Sequence, residues 1–181
     1  RIEAAARLAG GGAAIVVAPA AALLCPVIPP AALARATVRL RSGEGRPLEE
    51  LLSHLVDAGF ERVSIIDGVG QFSSRGGILD IYPVGVEHPL RLEFFGDEIE
   101  SIRTFDVTSQ RSLGAVPEAV LLPAREVVLH RPFFDAYVPN LSRLEAETGV
   151  SLTRVKDQLE LGAATLDGIE ALMGVLYGRD D

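Results

Sequence analysis

Two runs of alternating residues that meet at Gly96-Asp97 constrain this chain more than any other feature. Around 89–95 the alternation places Leu90, Leu92 and Phe94 on one face of a strand and Arg91, Glu93 and Phe95 on the other. A second strand is predicted around 98–105, and the intervening Gly-Asp pair is a two-residue hairpin signal. Further strand candidates lie around 61–66 and 77–83. Before them, Pro47 stands where a helix should begin, and Leu48, Leu51, Leu52, Leu55 and Val56 recur at helical spacing. Gly59 supplies a left-handed stop. Together these features predict an α/β (α+β) fold, a twisted antiparallel sheet with one helix laid over the Leu90–Leu92–Phe94 face.

The flanks differ in character. In residues 1–38, rich in alanine and proline, Ala13-Ala14-Ile15-Val16-Val17-Ala18 reads as a buried parallel strand. A short helix from Ala20 to Leu24 follows, ended by Cys25-Pro26 and Pro29-Pro30. From His130 onward the pattern is helical, with candidates at Phe133 to Ala146, Leu152 to Leu161 and Leu166 to Leu176, broken at Gly149 and Gly162. The expected organisation is the end of one α/β subdomain (1–38), a central module (39–129) and the start of a helical subdomain (130–181). Arg1 opens inside a helical pattern and Arg179-Asp180-Asp181 closes without a natural ending, so the sequence reads as a segment of a longer protein.

Composition narrows the function classes. The chain has 181 residues and a net charge of -8. Binding to duplex DNA relies on clustered cations that displace counterions, so an acidic chain starts at a disadvantage. Lys156 is the single lysine among 17 basic residues, and arginine suits specific carboxylate pairing better than diffuse attraction to phosphate. A protein partner is therefore favoured. No apolar run approaches the ~20 residues a membrane span requires. The lone Cys25 cannot form an internal disulfide, which fits a cytoplasmic location.

Catalytic patterns fail one by one. Gly10-Gly11-Gly12 precedes a strand candidate where a P-loop would follow one, and Lys156 has no phosphate-binding setting. His54, His88 and His130 lack metal-ligand spacing and read as surface or capping residues. Asp97, Glu98 and Glu100 fit a solvated hairpin that discourages edge pairing. Ser73-Ser74 beside Arg75 has no histidine in its sequence company. The expectation is a segment with no catalytic site, no metal and no cofactor.

What remains is a candidate binding surface. Phe95 shares its strand face with an arginine and a glutamate, the composition of an interface hot spot. Pattern alone leaves a second small core over Phe95 equally open. Arg75 precedes Gly76-Gly77, where absent side chains let a strand turn and a backbone come close.

The segment Phe72-Ser73-Ser74-Arg75-Gly76-Gly77-Ile78-Leu79-Asp80-Ile81-Tyr82-Pro83, followed by Pro89-Leu90-Arg91-Leu92-Glu93-Phe94-Phe95-Gly96-Asp97-Glu98-Ile99-Glu100-Ser101-Ile102-Arg103, resembles the UvrA-binding module shared by UvrB and the transcription-repair coupling factor (Mfd) family. Ser109-Gln110-Arg111-Ser112 and Pro123-Ala124-Arg125-Glu126-Val127 resemble the coupling factors more than UvrB. The resemblance spans about 39–129 and thins on both sides. It implies a UvrB domain-2-like sheet flanked by partial, degenerate RecA-like segments, and a role in recruiting UvrA from stalled RNA polymerase to nucleotide excision repair. The residues matching the family's contact positions are Arg75, Arg91 and Phe95. It further implies that the ATP- and Mg-dependent DNA translocase and the RNA polymerase and DNA contacts lie elsewhere in the full protein. The same resemblance implies that the parent's C-terminal region covers this surface at rest.

Overall fold

The computed structural model describes every residue except 12, 14, 130, 162–165, 167 and 179–181, so His130, Gly162 and the closing Arg179-Asp180-Asp181 lie outside the described residues. In chain order the elements are α1 (Ile2–Ala9), α2 (Ala20–Leu23), α3 (Pro30–Ala36), β1 (Val38–Arg41), α4 (Leu48–Asp57), β2 (Glu61–Arg62), β3 (Gln71–Arg75), β4 (Ile78–Ile81), β5 (Leu90–Phe95), β6 (Glu98–Phe105), β7 (Ser112–Ala115), β8 (Glu118–Leu121), α5 (Arg131–Thr148), α6 (Thr153–Glu160), a 3-10 turn (Ile169–Leu172) and α7 (Met173–Leu176).

Six strands form one sheet in the order β2-β3-β4-β5-β6-β7, antiparallel throughout except for the parallel β2–β3 pair. Helix α4 covers one face, as the leucine spacing predicts. Leu51, Leu52 and Leu55 are buried against Phe72, Leu79, Ile81, Leu90, Leu92, Ile99 and Ile102. Glu49 and Glu50 occupy the helix's first turn, where carboxylates complement the exposed amides of its N-terminus. At the other end Gly59 adopts φ +85°, and the Phe60 amide reaches back to the Leu55 carbonyl (2.9 Å), closing the last turn.

The chain enters and leaves this module through one antiparallel ribbon, β1 against β8, with Val38 opposite Leu121. The two flanks, which the sequence divides into separate subdomains, share a single core. Ile2, Ile28 and Leu33 from the N-terminal side pack in one cluster with Val128, Tyr137, Leu141, Leu159 and Leu176 from the C-terminal side. The sheet module is thus inserted between two halves of one small helical unit. Hydrogen bonds seat it there. The Leu129 amide donates to the Asp57 carbonyl (3.1 Å), the Ala124 amide to the Ala58 carbonyl (2.9 Å), and His54 Nε2 to the Ala36 carbonyl (3.1 Å).

Three expectations need correction. Ile15–Val17 is not a buried strand: Ile15 and Val17 are 96% and 93% exposed. A strand needs a ladder partner for its amides and carbonyls, and none of the eight described strands pairs with this run. The strand expected over 61–66 is confined to Glu61–Arg62, and beyond it the Ser64 carbonyl accepts a hydrogen bond from Ser73 Oγ of β3 (2.8 Å). The helix expected over 166–176 divides into the 3-10 turn and the four-residue α7.

Candidate partner-binding surface

The face of the sheet opposite α4 carries the three residues singled out from sequence. Their positions follow from register. Arg75 pairs with Ile78 across the β3–β4 hairpin, Ile78 pairs with Glu93, and Glu93 pairs with Ser101. Directly paired residues project from the same side of a sheet, so these four form one row. The next row inward is Ser73, Asp80, Arg91 and Arg103. Phe95 lies two residues beyond Glu93 on the same side, opposite Glu98. The hairpin tips Gly76-Gly77 and Gly96-Asp97 therefore lie at the same end of the sheet, and they bring Arg75 and Phe95 to that end.

Phe95 is 81% exposed, so no second core covers it. Arg75 is exposed and forms no ion pair among the described residues. Ile78, between Arg75 and Glu93, is 41% exposed. Gly76 takes φ +59°, which glycine adopts without the strain a Cβ brings. The close backbone approach expected at Gly76-Gly77 is internal. A Cβ on Gly77 would fall 2.7 Å from the Phe94 carbonyl oxygen, and the Phe94 amide donates to the Gly77 carbonyl (2.7 Å).

Arg91 differs from the other two. Its Nε and Nη2 donate to Asp80 Oδ1 (2.7 Å) and Oδ2 (2.8 Å), and Nη2 also reaches Gln110 Oε1 (3.2 Å). Its guanidinium carbon sits 4.5 Å from the centroid of the buried Phe105 ring. Asp80 is buried, so the carboxylate is held by a planar fork that matches its geometry. The hydrogen bond to Asp80 raises the Arg91 pKa above its ordinary value; burial opposes this, and attraction to Asp80 and Glu93 adds to it. Arg91 faces Arg103 across the β5–β6 pair, but the like charges are separately neutralised. Glu93 lies 3.3 Å from Arg103 and accepts from Ser101 Oγ (2.7 Å).

Asp80, Gln110 and Ile78 are site residues that sequence reasoning missed. A carboxylate inside the apolar run Ile78-Leu79-Asp80-Ile81 was the available signal for the first, since a buried carboxylate demands a cation. Gln110 is the one non-glycine residue with positive φ (59°) among the described residues, and nothing in its local sequence announces that. It is set by the 106–111 turn, where the Gln110 amide donates to the Asp106 carbonyl (2.8 Å) and the Ser109 amide to Asp106 Oδ1 (2.7 Å).

The family model described as the UvrB interaction domain matches residues 38–127, which begin with β1 and end six residues after β8. The chain is 43% identical over 103 residues to a transcription-repair-coupling factor of Myxococcus xanthus, a match covering 57% of this chain and 9% of that protein. It is 39% identical over 119 residues (66% and 10%) to that of Staphylococcus haemolyticus (strain JCSC1435). With that of Bacillus subtilis (strain 168) the identity is 35% over 131 residues (72% and 11%). The chain spans about a tenth of the length of these relatives. Through residues 38–127, this chain belongs to the UvrB interaction domain family.

Proposed function

We propose that this chain is the UvrA-recruiting part of a transcription-repair coupling factor, acting by protein-protein contact and carrying no catalytic step of its own. The observation that carries this reading is Phe95, a large aromatic 81% exposed at the end of a strand whose alternate residues are buried. At the same end of this sheet face, with β4 between their strands, stands Arg75, an arginine with its charge uncompensated among the described residues. An exposed aromatic and an available arginine on one surface are how interface anchors are built. The net charge of -8 argues for a protein partner over nucleic acid. In this reading the translocase, its ATP and Mg, and the contacts to RNA polymerase and DNA belong to other parts of the full-length protein, whose C-terminal region covers the surface until the motor engages.

Arg91 contributes in a different way from Arg75. Most of its hydrogen-bonding capacity is turned inward to Asp80 and Gln110, leaving Nη1 as the nitrogen available to a partner. Calorimetric titration of the chain with UvrA tests the reading. Phe95→Ala is expected to lower affinity by about thirtyfold, the loss typical of a hot-spot truncation, with unchanged melting temperature. Absence of binding by the wild-type chain, or equal binding by Phe95→Ala, overturns it.

A further inference from the structure

We infer that Ile78 is a further contact residue of this surface, and that the partner presents an apolar socket flanked by an acidic group on one side. The inference rests on the UvrA-binding reading above and extends it to the chemistry of the partner. Four observations lead to it.

Ile78 begins β4 and is 41% exposed, whereas the next three residues of the strand are buried. Register places it between Arg75 and Glu93, on the face that also carries Phe95. An isolated exposed aliphatic residue is ordinary on a protein surface. Here, however, it shares the end of one sheet face with an aromatic that is itself 81% exposed, so two large apolar groups occupy the same tip region.

The charges around them are unequal in availability. Glu93 is occupied by Ser101 and Arg103, and Arg91 by Asp80 and Gln110. These pairs contribute little net field to an approaching partner. Arg75 on the β3 side and Glu98 on the β6 side, opposite Phe95, form no ion pair among the described residues. The surface is therefore an apolar pair, Ile78 and Phe95, with a positive group at one flank and a negative group at the other. Its complement has an acidic group facing Arg75 and a basic or hydrogen-bond-donating group facing Glu98, with apolar side chains between.

The test measures UvrA binding by calorimetry for the wild-type chain, Ile78→Thr and Ile78→Asp, with thermal melts of each. Threonine keeps the β-branched shape a strand favours and removes apolar surface, so it guards against a folding artefact. Ile78→Thr is expected to weaken binding about fivefold and Ile78→Asp by more than about tenfold, since a carboxylate would be forced into an apolar contact. A folded Ile78→Thr that binds UvrA as tightly as the wild type overturns the role of Ile78 while leaving UvrA recruitment standing. Failure of the wild-type chain to bind UvrA overturns the recruitment reading itself, and this inference with it.

Discussion

Arg91 grips Asp80 across adjacent strands through two parallel hydrogen bonds of 2.7 and 2.8 Å, under the ring of Phe105. The pair ties β4 to β5 on the face that α4 does not cover. Its consequence is that Arg91, unlike Phe95, cannot be removed without touching the fold.

Arg91→Ala leaves the buried Asp80 carboxylate without its cation and is expected to cost about 2–3 kcal/mol of folding stability, below the range for a fully buried pair because the arginine is partly exposed. Asp80→Ala is expected to cost less, since the freed guanidinium can reach water. The double substitution should cost less than the sum of the singles. Urea denaturation of the four proteins measures this. Wild-type stability in Arg91→Ala would show that the pair contributes nothing.

Gly77→Ala should disturb the hairpin that presents Arg75 and Ile78. Its new Cβ would stand 2.7 Å from the Phe94 carbonyl oxygen, a backbone atom of a residue paired with Ile99 in the β5–β6 ladder. A loss of about 1–3 kcal/mol is expected, the usual range for overpacking, together with weaker UvrA binding. Thermal melts and titration would show both effects. Retention of both at wild-type values would mean that the strands separate here without cost.

Tyr177→Phe tests the shared core of the two flanks. The Tyr177 hydroxyl accepts from the Val128 amide (3.0 Å) and donates to the Glu126 carbonyl (2.9 Å), linking the segment after β8 to the end of α7. Its ring packs edge-on against Tyr137, with centroids 5.5 Å apart. Removing the hydroxyl strands a backbone donor and a backbone acceptor, at an expected cost of about 1–3 kcal/mol. Phe95 is remote from this change in sequence and in cluster, so UvrA affinity should persist in the folded fraction. A urea midpoint equal to the wild type's would contradict the role assigned to this hydroxyl.

Acid should weaken the turn that holds Gln110. Hydrogen bonds from the Ser109 hydroxyl, then from its amide, hold the Asp106 carboxyl below its ordinary pKa. A carboxylate depressed in the folded state contributes stability above its unfolded pKa and loses it as pH falls through the lower folded value. In Asp106→Asn that contribution is absent at every pH. The stability gap between wild type and variant should therefore be widest near neutrality and close as pH falls below the ordinary carboxylate range. Urea midpoints from about pH 6 down to about pH 2 measure it. A gap that stays constant across the series would exclude Asp106 ionisation as its source.

Local periodicity carried the central module. Alternation over 90–95 put Leu90 and Leu92 in the core, the leucine spacing of α4 gave the helix that covers them, and Gly96-Asp97 marked the hairpin. These features were legible because a strand's faces and a helix's stripe are set by neighbours a few residues away. Pairings between distant residues were decided by the tertiary structure alone. Asp80 lies 11 residues from Arg91 and Gln110 lies 19, and only the register of three strands and one strained turn brings them together. The apolar run at Ile15–Val17 has the composition of a buried strand yet stands in solvent, because burial depends on a partner that composition does not specify. Ile2 and Leu176, nearly the whole chain apart, share one core for the same reason: apolar surface records that a residue will be buried, and the fold decides against what.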